Sequence, residues 1–260
     1  MTSFDLIIKN GTLLTMDPEN RVIEDGVLCV SGDTISYVGD QIPKNHDASK
    51  TIDAKGGLIL PGLINGHTHG AMSLFKGLAD DLPLMEWLNR YIFPVEKNMD
   101  ADFIHTGARL ACAEMILSGT TCFCDMYLFE DQMARAAHQS GLRCLIGEVL
   151  YDFPSPNYGD LENGFVYTEW LIDKWKDNPL VSIAVEPHAL FTCSPELLQR
   201  ANQMALTHGT PLIIHFAETL AELEEVQKRY GRTPLEHLED LGLAGPHLIV
   251  DHAVHVNELE

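Results

Sequence analysis

The chain has 260 residues, with 17 Lys and Arg against 38 Asp and Glu, and carries a formal charge of −21 at neutral pH. At 45% hydrophobic and 21% charged residues it has the composition of a folded globular protein rather than a disordered one. The charge opposes binding to nucleic acid or to an anionic membrane surface, both of which need clustered Lys and Arg, and no run of 18 apolar residues reads as a transmembrane helix.

The first 57 residues hold short apolar runs, at 4–8, 12–15, 26–30 and 34–39, broken by Asn10-Gly11, Asp17-Pro18, Ser31-Gly32-Asp33 and Gly56-Gly57. Turn signals this close between short strands predict a small antiparallel β unit. The opening MTSFDLIIKNG lacks a basic stretch followed by an apolar core, so it reads as a strand rather than a signal peptide. From residue 58 the rhythm changes. Candidate strands at 58–65, 120–125, 143–149, 181–187, 211–216 and 247–252 alternate with helical stretches. A helix over 103–117 stops at Gly119, and Ser194-Pro195 opens another over 196–208 that ends at Gly209. Thr219-x-x-Glu222 and Thr233-x-x-Glu236 have the spacing of capping boxes. Repeated strand–helix units predict a parallel sheet with helical crossovers, here a barrel.

Cys29, Cys112, Cys122, Cys124, Cys144 and Cys193 form no C-x-x-C pair and no disulfide framework, and read as reduced thiols of a cytoplasmic protein. Cys122 and Cys124 lie two apart in TTCFCDM, face one side of a strand, and read as core. The Gly-rich nucleotide cradles G-x-G-x-x-G and G-x-x-x-x-G-K-[ST] do not occur.

Of the 12 histidines, four sit at or beside the C-terminal ends of predicted strands, the face on which a barrel builds its chemistry. His67-Thr68-His69 follows LILPGLIN. In extended backbone residues i and i+2 point the same way, so both imidazoles face inward and make a chelating pair. His215 ends PLIIH, with Glu218 three residues later, which suits a third ligand beside a proton carrier. His252 ends LIVDH.

PGLINGHTHGAM, then HFAE, then a strand-end His resembles the metal-dependent amidohydrolase superfamily. The segments FDLIIKNGTLLTMD and HGAMSLFKGLADDLPLMEWLNRYIFPVE are similar to its branch of 5-methylthioadenosine/S-adenosylhomocysteine deaminases and triazine chlorohydrolases. The resemblance implies an α/β fold: a (β/α)8 TIM barrel, of which residues 58–260 hold six strands, preceded by residues 1–57 as the N-terminal part of a small β-sandwich domain. It implies one divalent metal, zinc first, with Fe, Mn, Co and Ni compatible with His donors, held by His67, His69 and His215. Glu218 would carry protons to the substrate ring and His252 would orient and polarise the attacking water. Glu96, in FPVE, matches the carboxylate that binds ribose hydroxyls, and His188, in EPHALFTCS, a substrate-contacting His. The implied reaction is hydrolysis at C6 of an adenosine-type nucleoside: metal-activated water attacks C6, Glu218 protonates N1, and ammonia leaves. The implied partner is a small-molecule nucleoside, with no nucleic acid and no membrane; homo-oligomers are common in the superfamily. The alternatives are another amidohydrolase, such as a triazine chlorohydrolase or guanine deaminase, and a non-catalytic fragment or assembly half.

The family completes its site with an Asp at the end of the eighth strand, which this sequence does not contain. Asp251 is expected on the face opposite its neighbour His252 and so not to replace it. An open six-stranded sheet would expose two parallel edges, so the sequence reads as part of a longer functional chain. Residues 144–173 hold no Lys or Arg to pair with the carboxylate of S-adenosylhomocysteine, which leans toward methylthioadenosine or adenosine.

Overall fold

Five strands build the first of two compact units, which meet in sequence at Gly62 and Leu63. The structure, a computed structural model, describes residues 2–257. Strands β1 (Thr2–Leu14), β2 (Val22–Ser31), β3 (Thr34–Gly39), β4 (His46–Asp53) and β5 (Leu58–Ile59) lie in the order β3-β2-β1-β4, with β5 also paired to β1. β1–β2 and β2–β3 are antiparallel, but β4 and β5 run parallel to β1. The unit is therefore mixed rather than antiparallel. The polar run HDASKTID of β4 carries no apolar alternation by which to be recognised, and it is largely exposed. The runs at 4–8 and 12–15 form one strand, with its register shifted between Ile8 and Gly11 where Asn10 takes a φ of 60°. At Gly11 a Cβ would lie 2.7 Å from the Gly57 carbonyl, so only Gly lets the two backbones meet. Phe4, Ile7, Val27 and Cys29 form this unit's core.

The second unit alternates strand and helix. Its strands are β6 (Leu63–Thr68), β7 (Thr120–Tyr127), β8 (Arg143–Leu150), β9 (Val181–Ile183), β10 (Glu186–Pro187), β11 (Leu212–Phe216) and β12 (Leu248–His252). β9 and β10 are halves of one barrel position, both pairing with β8, and bridges from Val185 to Leu212 and from Ala189 to His215 carry the sheet on to β11. Every pair among these strands is parallel. Among the described residues the sheet thus holds six barrel positions. The expected strand at 58–65 divides in two: Leu58–Ile59 joins β1, Pro61 has no N–H to give a ladder, and β6 begins at Leu63.

After β6 come a 3-10 turn (Gly70–Phe75), α1 (Leu84–Trp87), one π turn (Leu88–Ile92) and α2 (Phe93–Glu96). Crossover helices follow: α3 (Ala101–Leu117), α4 (Glu130–Ser140), α5 (Leu161–Trp175), α6 (Pro195–His208), α7 (Leu220–Tyr230) and α8 (Pro234–Asp240). Side-chain caps start them where the sequence puts Asp, Ser or Thr: Asp100, Ser194, Thr219 and Thr233 each accept from the backbone N–H three residues on. Thr233 and Glu236 make a full reciprocal box. Glu222 does not return to Thr219; its carboxylate accepts from the N–H groups of Ala217 and Glu218. The core runs through Leu150, Leu190, Leu198, Ile213 and Ile214, all fully buried. All six cysteines are free, with Cys124 in that core and Cys122 half-buried outside it. Among the described residues no helix is long and apolar enough to cross a membrane.

Candidate metal centre and adjoining pocket

Because the barrel strands run parallel, their C-terminal ends open on one face, and five histidines gather there. The ring of His67 stands 4.8 Å from His69, 5.0 Å from His215 and 4.8 Å from His252, centre to centre, and His188 stands 4.8 Å from His215. One ligating nitrogen each of His67, His215 and His252 falls within 4.8 Å of the others. His69 lies against the same group, 5.2 Å from His215. The rings are held by their other nitrogens. His69 Nδ1 donates to the Met126 carbonyl at 2.5 Å, His215 Nδ1 donates to the His188 carbonyl at 3.0 Å, and His67 Nδ1 lies 2.9 Å from Asp251 Oδ2. Nε2 of His67 and Nε2 of His215 are buried with no hydrogen-bond partner.

Buried imidazoles resist protonation. Burial brings His69 down to about 4 and His188 to about 3, and holds His215 well below its ordinary 6.5, with the neighbouring histidines adding to each effect. Neutral imidazole is the form that binds a metal. The unpartnered Nε2 atoms of His67 and His215, beside the rings that burial keeps neutral, fit a divalent cation of the zinc type.

The residues around the histidines are fixed by buried carboxylates. Asp125, fully buried at the end of β7, accepts the Gly70 N–H at 2.5 Å through Oδ1 and touches the Thr68 hydroxyl, which also lies 2.8 Å from the Cys124 carbonyl. The middle and following residues of His67-Thr68-His69 are thereby clamped to the next strand. Burial raises the Asp125 carboxyl to about 6, against the opposing pull of those donors. Glu222 does the same for the loop after β11, where Ala217 adopts a φ of 48° and turns Glu218 toward the cluster. Glu218 Oε2 lies 3.8 Å from His252 Nε2. His252 itself has a φ of 70° and Ala253 one of 48°. That left-handed step ends the alternation of β12, so Asp251 and His252 both reach the cluster instead of facing opposite ways; the expectation for Asp251 is corrected here.

A pocket opens beside His69 and His188. Trp87, Leu88, Phe93 and Val149 wall it, and Glu96 and Tyr127 line it as polar groups. Glu96 is 9% exposed, and the Tyr127 hydroxyl donates to its Oε1 at 2.7 Å. Burial raises the Glu96 carboxyl, and the Tyr127 hydrogen bond works against that rise. His188 Nδ1 pairs with the Thr192 hydroxyl at 2.8 Å. A second, more open depression begins at Glu96 and Phe93 and continues past Pro94, Pro154 and Pro156. The Tyr151 and Phe153 rings, stacked 3.9 Å apart, form its wall, and Lys97 borders it.

The structure thus brings His67, His69, His188, His215, Glu218 and His252 to one face and sets Glu96 along the pocket beside them. Sequence reasoning gives Asp125 and Tyr127 no role, reads Glu222 only as a helix cap and sets Asp251 on the opposite face. For Asp125 and Asp251 the available signal was an acidic residue near the end of an apolar strand, where burial must be compensated.

The sequence profile of the amidohydrolase family matches residues 58–260. The chain belongs to the amidohydrolase family. Among amidohydrolase relatives, the 5-methylthioadenosine/S-adenosylhomocysteine deaminase of Syntrophobacter fumaroxidans is 55% identical over 98% of this chain and 58% of its own length. An adenosine deaminase from Xanthomonas campestris, solved with bound zinc, superposes with a TM-score of 0.94 at 35% identity, over 99% of this chain and 60% of its own. The atrazine chlorohydrolase of Arthrobacter aurescens in complex with zinc gives 0.87 at 26% identity, over 97% and 61%. This amidohydrolase chain therefore spans about three-fifths of the length of the relatives it matches.

Proposed function

We propose that this amidohydrolase chain carries most of the catalytic site of a hydrolytic deaminase acting on adenosine-type nucleosides, 5′-methylthioadenosine first among them. One observation carries the reading: a histidine cluster with the buried, unpartnered Nε2 atoms of His67 and His215 adjoins, through His69 and His188, an apolar, aromatic pocket lined by a buried carboxylate. The name of the 55% identical relative supports it.

His67, His69 and His215 would hold one divalent ion, zinc by analogy with the Xanthomonas campestris relative. When bound, such an ion supplies the Lewis acidity that lets water act as a nucleophile at neutral pH. The protein does the rest. Trp87 and Phe93 present flat apolar faces to the purine and exclude water from it. Glu218, turned inward by the strained Ala217, delivers a proton to ring N1 and makes C6 electrophilic. His252, 3.8 Å from Glu218, orients the attacking water. His188, held by Thr192, contacts the substrate beside the reacting ring. Glu96 accepts from the ribose hydroxyls through Oε2, since Tyr127 already fills Oε1. The 5′ substituent then enters the depression of Phe93, Pro154 and Phe153, whose bordering cation is Lys97. Its proline and aromatic wall suits a thioether, and Lys97 is the cation at its border against which the carboxylate of S-adenosylhomocysteine has to be tested. The N-terminal unit belongs, in this reading, to a small β-sandwich domain.

Ammonia release from a nucleoside panel by the zinc-loaded full-length protein tests the proposal. Turnover of methylthioadenosine and adenosine above that of S-adenosylhomocysteine is the expected result. Chloride release from a triazine with no ammonia from any nucleoside would overturn it, and Glu96, which has no ribose to bind in a triazine, argues against that outcome.

A further inference from the structure

Asp251 is a buried acid without an obvious reason to be charged. It is 4% exposed and sits on β12 directly across the ladder from His215, with Glu186 and Cys124 among the groups that feel its charge. Its Oδ2 has no aligned hydrogen-bond donor among the described residues. Leaving a carboxylate so placed is costly unless a donor or cation faces it. The group that faces it is His67 Nδ1, at 2.9 Å. His67 belongs to β6 and Asp251 to β12, two strands that share no ladder among the described residues.

The two ring nitrogens of His67 have different surroundings. Nε2 is buried and unpartnered on the side of His215 and His252, while Nδ1 meets a carboxylate. An imidazole that gives Nε2 to a cation keeps its proton on Nδ1, and that proton is what Asp251 Oδ2 lacks. The neighbouring rings follow the same rule with weaker acceptors: His69 and His215 hand Nδ1 to backbone carbonyls. From this geometry we infer that Asp251 is a positioning residue for the metal centre: it fixes the tautomer and the orientation of His67. It acts through His67 and does not itself contact the cation, because its oxygen lies on the far side of the ring from Nε2. This inference rests on the metal-centre reading above.

The test is zinc affinity, measured by chelator competition on the full-length protein. Asp251→Ala is expected to weaken zinc binding 10- to 100-fold, with the far-UV circular dichroism of the metal-free protein unchanged. Asp251→Asn, which keeps the shape and one neutral acceptor, is expected to fall between wild type and Asp251→Ala, and it carries the test if the alanine variant does not fold. Zinc affinity within twofold of wild type in either folded variant overturns the inference. His67→Ala separates this failure from that of the centre itself. If His67→Ala still binds one zinc with unchanged affinity, the metal-centre reading is wrong; if it loses zinc while Asp251→Ala does not, only the role of Asp251 falls.

Discussion

Glu96 shows what a single side chain contributes and what it costs. Its carboxylate is largely buried and takes one hydrogen bond, from the Tyr127 hydroxyl to Oε1, which leaves Oε2 for a ligand in the pocket it lines. A pair of ribose hydroxyls would serve there, and hydrogen bonds to a charged acceptor are worth about 1.5–3 kcal/mol each. Glu96→Gln should therefore raise KM for a nucleoside by roughly 10- to 100-fold while kcat falls far less; equal losses in both, measured by steady-state kinetics, would place Glu96 in the chemical step instead. Glu148 makes a different case. It is fully buried, accepts from the Glu130 N–H and the Asn157 amide, and is pushed up by burial to about 7 from an ordinary 4.5. Its folded-state pKa lies above the unfolded one, so the native protein binds the extra proton. Stability must then fall as pH rises from 4.5 to 7, by up to about 3 kcal/mol. Denaturant titrations at pH 5 and pH 7.5 should show that fall, and Glu148→Gln should flatten it. At this scale His67, His69, His215 and His252 are legible in sequence because each ends an apolar run. Asp251 is not, because two-residue alternation fails where His252 turns left-handed.

Between neighbouring elements, the contact that matters most for the site is the one between α3 and the 3-10 turn that follows His69. Gly107 is the point of approach: a Cβ there would come within 2.4 Å of the Ala71 carbonyl and 2.9 Å of its Cα. Backbone cannot yield as a side chain can, so Gly107→Ala should destabilise the protein by about 1–3 kcal/mol. It should also weaken zinc binding, because the displaced turn begins at Gly70, where Asp125 clamps the histidine pair. A melting temperature and a zinc affinity both unchanged would refute that link. Thr233→Ala, which removes the hydroxyl that accepts from the Glu236 N–H and leaves the backbone half of the α8 box in place, should cost about 1 kcal/mol and leave zinc binding alone. Helices α3, α6, α7 and α8 can be read from their caps and stops, and the β7, β8 and β11 strands as continuous apolar runs of strands buried on both faces; α4 and α5, without a side-chain cap, are not so marked. The parallel strand β4 and the division of residues 58–65 cannot: one is polar, and the other is split by where Pro61 sends the chain rather than by composition.

For the molecule as a whole, a charge of −21 is spread over a chain with few compensating cations, and self-repulsion makes salt stabilising. A cation held where the rings of His67, His215 and His252 converge would relieve part of that repulsion. Removing it with a chelator should lower the melting temperature, by an amount set by how far free zinc exceeds its Kd, about 4 kcal/mol at a thousandfold excess; scanning calorimetry with and without zinc measures it. The convergence has a further consequence, in time rather than in space. His67 and His69 lie near the start of the barrel unit, and His215 and His252 near the far end of the described chain. A ribosome adding about 5–20 residues each second would expose the first pair roughly 10–40 s before His252 is made. Through that interval the nascent chain offers a two-imidazole chelate, open to any soft cation in its surroundings. The imidazoles that converge at the site are thus brought together only once β12 has been made.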